Sequence, residues 1–255
     1  MNFDFHTHGK LSKKVEFSLE YFVNMVKVAK ENGLDGFALT EHFNTRNFMD
    51  VYDTLDQTFV YENEYYLIDG IKVFPAMEVD IREVGHILLI GNRTDIRELR
   101  IVLEPFTEKN SFIEFEQLLE KAEAYNLLKI GAHPFRDSTP LNELDPQLLC
   151  RLDAFDLNGK DLYQQGIDEN SEKVYGFAEN LKKPVVGGSD THHFMQYGCI
   201  VSELGQECST IDELKKVIFE GRYSIEVSSE LYDKVKTAKE MKEIEKRKME
   251  KLIIN

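Results

Sequence analysis

The 255-residue sequence predicts an α/β fold closed into a barrel, on three observations. Short β-branched or aromatic runs alternate with longer stretches of helical period, the pattern of parallel strands joined by helices. Histidines and carboxylates recur at the ends of the strand-like runs, as they do where a β/α barrel gathers a site on its carboxyl-end face. No internal repeat and no flexible linker interrupts the chain, so one barrel is placed over residues 1–227, followed by a charged C-terminal helix over residues 228–255.

The opening strand carries Phe3, Phe5, His6 and His8. Ser18 then caps a helix whose Phe22, Met25, Val26 and Ala29 share one face, and Gly33 follows where a left-handed residue ends it. A strand, Gly36-Phe37-Ala38-Leu39-Thr40, delivers His42. The acidic, aromatic segment 48–69 has Tyr52, Leu55 and Phe59 at helical spacing and is expected to wall the pocket. Strand-like runs 71–79 and 86–90 flank a polar turn around Arg82, Glu83 and Gly85. A helix is expected over 111–125, and the next strand runs into His133-Pro134, where proline holds its predecessor extended. A helix around 172–181 precedes the last strand of the series, which ends in Gly188-Ser189-Asp190. In the tail, Glu243 and Arg247 lie four apart, and Ala238, Met241, Met249 and Leu252 fall near one side of a surface helix.

Apolar residues make up 42% of the chain, enough for a full core. Lys+Arg 31 against Asp+Glu 46 leaves a net charge of −15, which repels phosphate polymers and anionic lipid. A small phosphorylated substrate is therefore expected before duplex nucleic acid. Cys150, Cys199 and Cys208 form no C-x-x-C pair, which suits a reducing compartment, and all three are expected as buried thiols. There is no basic and apolar leader and no run near the roughly 20 apolar residues of a membrane span, so a cytoplasmic setting is expected.

The chemistry lies in the histidines. Alternate strand residues point the same way, so His6 and His8 present two imidazoles to one cation, and Asp190-Thr191-His192 repeats that spacing with a carboxylate. Glu78 ends an apolar run, where a carboxylate is costly unless a cation pairs with it. His42, His86 and His133 complete the candidate metal ligands, while His193 is expected beside the site or at the surface. Arg136 is either a fork for a phosphate oxygen or half of a surface salt bridge, and Asn158 is a candidate to orient substrate.

Phe5-His6-Thr7-His8, Thr40-Glu41-His42, Glu78, His86-Ile87-Leu88, Ala132-His133-Pro134 and Ser189-Asp190-Thr191-His192 together resemble, in order, the motif series of the polymerase and histidinol phosphatase (PHP) family. The resemblance implies a distorted (β/α)7 barrel holding two or three divalent ions (Zn, Mn or Fe) that hydrolyse phosphate esters. It assigns His6, His8, Glu78 and Asp190 to one ion, Glu78, His86 and His133 to a second, and His42 with His192 to a third. The nucleophile is then a water shared by the metals, acidified from about 15.7 toward ~7, with no side-chain nucleophile. One departure stands out. The family often places a further ligand shortly after the second histidine, where this chain reads Lys10-Leu11-Ser12-Lys13-Lys14; Glu16 is expected as a solvated loop carboxylate, and replaces that ligand only if the loop is shaped to bring it back. Glu41, where aspartate is usual, is expected to orient an imidazole.

No G-x-S-x-G, P-loop or G-x-G-x-x-G motif occurs, so no organic cofactor is implied. Two other readings remain. An amidohydrolase-type C–N hydrolase also uses H-x-H on its first strand, and a non-catalytic, metal-stabilised module would bind its partner through the charged tail.

Overall fold

The computed structural model describes residues 1–253, with side chains described for residues 1–247. In chain order the elements are β1 (Asn2–Thr7), α1 (Leu19–Glu31), β2 (Gly36–Leu39), α2 (Phe48–Thr58), β3 (Val60–Glu62), β4 (Tyr65–Ile68), β5 (Ile71–Ile81) and β6 (Gly85–Ile90). There follow α3 (Arg93–Val102), α4 (Phe115–Ala122), β7 (Leu128–Gly131), α5 (Pro146–Leu149), β8 (Ala154–Asn158), α6 (Gly159–Gln165) and α7 (Ile167–Asn180). The chain ends with β9 (Val185–Gly188), β10 (Ile200–Leu204), α8 (Ile211–Phe219), β11 (Tyr223–Val227) and α9 (Leu231–Ile253).

Seven strands follow one another around the barrel in the order β1-β2-β5-β6-β7-β8-β9. All neighbouring pairs are parallel except those of β6, which runs antiparallel to both β5 and β7. The cause is the short turn between β5 and β6, since parallel strands need a crossover of a dozen or more residues. β1 is shared at the seam. Its amino end pairs with β10, and its carboxyl end meets the segment after β9, where Asp190 N donates to His6 O (2.7 Å) and His8 N to Thr191 O (2.8 Å). This is a distorted seven-stranded α/β barrel, the fold class that the sequence predicts.

Interior-facing Phe3, Phe5, Phe74, Leu88, Ile130 and Val186 are buried in one cluster with Leu214, Val217 and Ile218 of α8, which plugs the amino-terminal mouth. The opposite strand faces, with Phe37, Val73, Val79 and Leu89, pack against the surrounding helices in a second cluster. The carboxyl-end mouth is left for polar side chains.

Several local expectations need correction. Segment 48–69 is helical only to Thr58, then forms the β3–β4 hairpin, and it does not wall the site. Tyr52 and Leu55 belong to the outer layer, with Tyr52 Oη donating to Ala76 O. The helix expected over 111–125 starts only at Phe115, because Ile113 is held extended by a bridge to Ile81 and accepts from Arg82 N. Cys199 and Cys208 are buried, but Cys150 is exposed at the end of the short α5. In α9, Val235 and Ala238 are buried, while Met249 and Leu252 lie outside the residues whose side chains are described. No helix among the described residues is long and apolar enough to cross a membrane.

Candidate metal centre

Strand alternation brings most of the polar side chains to the barrel mouth, and backbone irregularities bring the rest. Along β5, Glu78 and Asp80 follow Phe74 and Ala76 on the interior face, and antiparallel pairing sets His86 opposite Asp80. On β1 a bulge puts three residue steps against two of β2, Asp4 pairing with Phe37 and Thr7 with Leu39. Phe5 and His6 then both face inward, Phe5 to the core and His6 to the mouth, re-aimed as bulges do. His133 and Asp190 have φ of 33° and 59°, in the left-handed region, each two residues past its strand. The backbone at His42 bridges to that of Glu78, with Phe43 N donating to Glu78 O at 2.8 Å.

Glu78 is the hub. Its Oε1 lies 2.7 Å from His86 Nδ1, 3.3 Å from His133 Nε2 and 3.6 Å from His6 Nε2. Its Oε2 lies 2.7 Å from His42 Nδ1 and 3.7 Å from His8 Nε2. Asp190 Oδ1 is 3.3 Å from His8 Nε2, 3.4 Å from His192 Nδ1 and 3.9 Å from His6 Nε2. Three groupings have the donor spacing of a cation site, namely His6–His8–Asp190, Glu78–His86–His133 and His8–His42–His192. All eight candidate ligands are thus brought together, with His8 between two of the groups.

The chemistry of this donor set fits divalent cations. His6 Nε2 and both nitrogens of His8 are buried without a hydrogen-bond partner, and so many orphaned atoms in one place is a large cost unless a cation satisfies them. Burial pushes the His8, His133 and His192 imidazoles well below their ordinary pKa, toward the neutral form that ligates metal. Burial works to raise Glu78, but the charges of His86 and His42 overrule it and hold the carboxyl well below the usual range. Asp190 is likewise held well down, by Lys160, His6 and Arg136 against its burial. His6 and His86 are pushed down by burial and up more strongly by the carboxylates around them, reaching about 8 and about 9.

The surrounding residues hold this set in place, and some were missed from sequence. His6 Nδ1 sits 2.8 Å from Asp156 Oδ2, which also accepts from Asn158 Nδ2. Asp80 Oδ1 is 3.1 Å from His86 Nε2. Lys160 Nζ donates to Asp190 Oδ1 at 2.7 Å and stands 3.1 Å from His192 Nδ1. Asp80 and Asp156 were legible, since each lies two residues from a recognised interior polar residue on its strand, Glu78 or Asn158, and the i, i+2 rule that found H-x-H reaches them. No local signal marks Lys160.

Arg136 is no surface salt bridge: its Nε donates to Asp161 (2.9 Å), and its Nη2 donates to Asn158 and Asp190 (3.0 Å each). Glu16 lies outside the three groupings, exposed and paired with Arg46 and Asn47, while it is Lys13 of the same loop that reaches the mouth and donates to Asp80. Glu41 accepts from the backbone N–H groups of Gly9 and His42, so it fixes main chain and not an imidazole ring. His193 is buried outside the three groupings, 3.4 Å from Glu245 of α9.

Gly188 leaves no room for a side chain, as a Cβ there would stand 2.5 Å from His6 Cβ and collide with Asp156 Oδ1. Gly188→Ala is expected to destabilise the protein by about 1–3 kcal/mol and to weaken metal binding by displacing His6. Thermal melting and elemental analysis of the variant check this.

No protein-family model and no curated protein sequence matches the chain. Among solved structures it is similar to PsfC from Pseudomonas syringae PB-5123, with a TM-score of 0.78 and 21% identity over 95% of this chain and 97% of that one. It is also similar to the lesion-specific endonuclease PfuEndoQ from Pyrococcus furiosus, with a TM-score of 0.64 and 20% identity over 88% of this chain and 57% of that one. Endonuclease Q in complex with a 27-mer duplex substrate bearing an abasic lesion gives a TM-score of 0.62 and 20% identity, over 89% and 58% of the two chains. The likeness at these identities is one of fold, and this chain spans little more than half of the endonuclease chains.

Proposed function

We propose that this PHP-type barrel is a metal-dependent phosphoesterase acting on a small phosphomonoester or nucleotide. The observation that carries the reading is Glu78, whose two carboxylate oxygens reach different imidazole groups inside one buried mouth rich in unpaired donor atoms. In this reading His6, His8 and Asp190 hold one divalent ion and Glu78, His86 and His133 a second, with Glu78 shared between them. His42 and His192 offer a third position beside His8. Bound ions of this kind supply Lewis acidity at the phosphoryl oxygens and a water acidic enough to attack phosphorus near neutral pH.

The chain's own groups do the positioning. Asp156 holds the His6 ring by its Nδ1 and so aims Nε2 into the mouth. Arg136 grips Asp190 and Asp161 through Nε and Nη2, which fixes the Asp190 carboxylate and reserves Nη1 for a phosphate oxygen. Beside His86, a cleft of about 270 Å³ lined by Asp80, Lys109, Ser138 and Thr139 suits a small substituent. The net charge of −15 also favours a small anion over a polyanion. The fold shared with Endonuclease Q makes a duplex the second reading.

Elemental analysis of the purified protein together with turnover of p-nitrophenyl phosphate tests the proposal. At least two ions per chain and turnover with Mn²⁺, Zn²⁺ or Fe²⁺ are expected. A chain that takes up no metal and turns over nothing would refute it, and cleavage of an abasic duplex in preference to the aryl ester would move the assignment to the second reading.

A further inference from the structure

We propose that Lys160 of α6 and Lys242 of α9 form a paired-ammonium subsite for phosphate oxygens beside Asp190, making the C-terminal helix part of the active site. The inference rests on the phosphoesterase reading and names two residues that reading does not use.

Its basis is the way α9 lies on the barrel. Tyr232 packs against Tyr163 of α6, ring centroids 5.8 Å apart, and Lys239 Nζ lies 5.1 Å from the centre of the same ring. Lys234 Nζ donates to Tyr197 O at 3.2 Å, and Glu245 Oε1 stands 3.4 Å from His193 Nε2. These contacts fix the face that α9 turns toward α6 and toward the loop carrying His192. Lys242 is three residues from both Lys239 and Glu245, so it shares that face. Lys160 is three residues before Tyr163, on the face of α6 that packs against α9, with its own Nζ on Asp190 and near His192. In keeping with this proximity, burial and then the Lys160 charge push the Lys242 ammonium down to about 7.

Lys160 and the Arg136 guanidinium thus share the single carboxylate of Asp190, with Lys242 on the facing helix, and once Asp190 serves a cation it cannot balance them. An incoming anion balances them instead. A terminal phosphate, with two negative charges and three free oxygens, meets this need better than a diester with one charge and two. The subsite therefore selects monoesters.

Calorimetric titration of the metal-loaded full-length protein with inorganic phosphate tests the subsite without turnover. Lys160→Met and Lys242→Met are each expected to weaken phosphate binding about 10-fold, the size of one lost charge-assisted hydrogen bond, and Lys242→Met to do so with metal content and melting unchanged. Lys242→Arg should restore most of the affinity, and Lys236→Met, at an exposed position of the same helix, should lose none. In kinetics, Lys242→Met should raise KM for p-nitrophenyl phosphate about as much and leave bis(p-nitrophenyl) phosphate unaffected.

Wild-type phosphate affinity in Lys242→Met, an equal loss in Lys236→Met, or no phosphate binding by the metal-loaded wild type would each overturn the subsite. Should Lys242→Met misfold, Lys242→Gln takes its place against Lys242→Arg. Phosphate binding with the expected lysine dependence but no ester hydrolysis would uphold the subsite and remove the phosphoesterase reading instead.

Discussion

Glu78→Gln is expected to reduce turnover of p-nitrophenyl phosphate by about 10³-fold or more while leaving the barrel folded. Metal-ion stabilisation of transition-state charge is worth several kcal/mol, and each 1.4 kcal/mol is about a factor of 10 in rate. The amide keeps one oxygen but replaces the other with an NH₂, so only one of the two imidazole groups that Glu78 now serves would face an acceptor. The change is nearly isosteric, so packing should survive. Circular dichroism should show a wild-type spectrum, and elemental analysis should show fewer ions per chain. Turnover at the wild-type rate would break the assignment of Glu78 as the shared ligand.

Metal removal is expected to abolish turnover and to lower Tm by roughly 10 °C. A ligand present at 1,000 times its Kd stabilises the native state by about 4 kcal/mol, and in a chain of this size each kcal/mol moves Tm by about 2–4 °C. Without cations the mouth keeps its orphaned imidazole nitrogens, whose desolvation is then uncompensated. Protons compete for the same places. In the metal-free protein the pKa values of His6 and His86 are raised to about 8 and about 9, so both carry protons at pH 7 that bound metal must displace. Stripping by chelator should therefore become easier as pH falls from 9 to 6. Scanning calorimetry before and after chelation, at both pH values, measures the effect, and a chelator-resistant Tm and rate would point to chemistry elsewhere in the molecule.

The legible part of this protein is the part governed by short-range periodicity. Period-2 alternation with a polar residue at each strand end located Glu78, His86 and the H-x-H pair, because a strand of any origin sends residues i and i+2 the same way. The same rule reaches Asp80 and Asp156, and the three-residue turn before Gly85 already contains the reversal of β6. What periodicity cannot reach are departures from ideal backbone. The bulge that turns His6 inward and the left-handed residues His133 and Asp190 depend on strand partners distant in sequence. Glu16 shows the converse: proximity in sequence to His8 made it a possible ligand, but it lies as a solvated loop carboxylate, the other reading its position allowed, paired with Arg46. Lys160 reaches the centre, and α9 packs beside it on α6, only through tertiary packing, which no local pattern encodes.

The seam between the first and last barrel strands is stitched by the main chain of the very residues whose side chains face the mouth. Asp190 N and His8 N donate across it, to His6 and Thr191. Zipping the cylinder shut is therefore also what assembles the groupings that contain His6, His8, Asp190 and His192, whereas Glu78, His86 and His133 meet on β5 to β7. Amide protons at Asp190 and His8 would then exchange together, and each cation that ties the flanking side chains to one another would act as a rivet across the join.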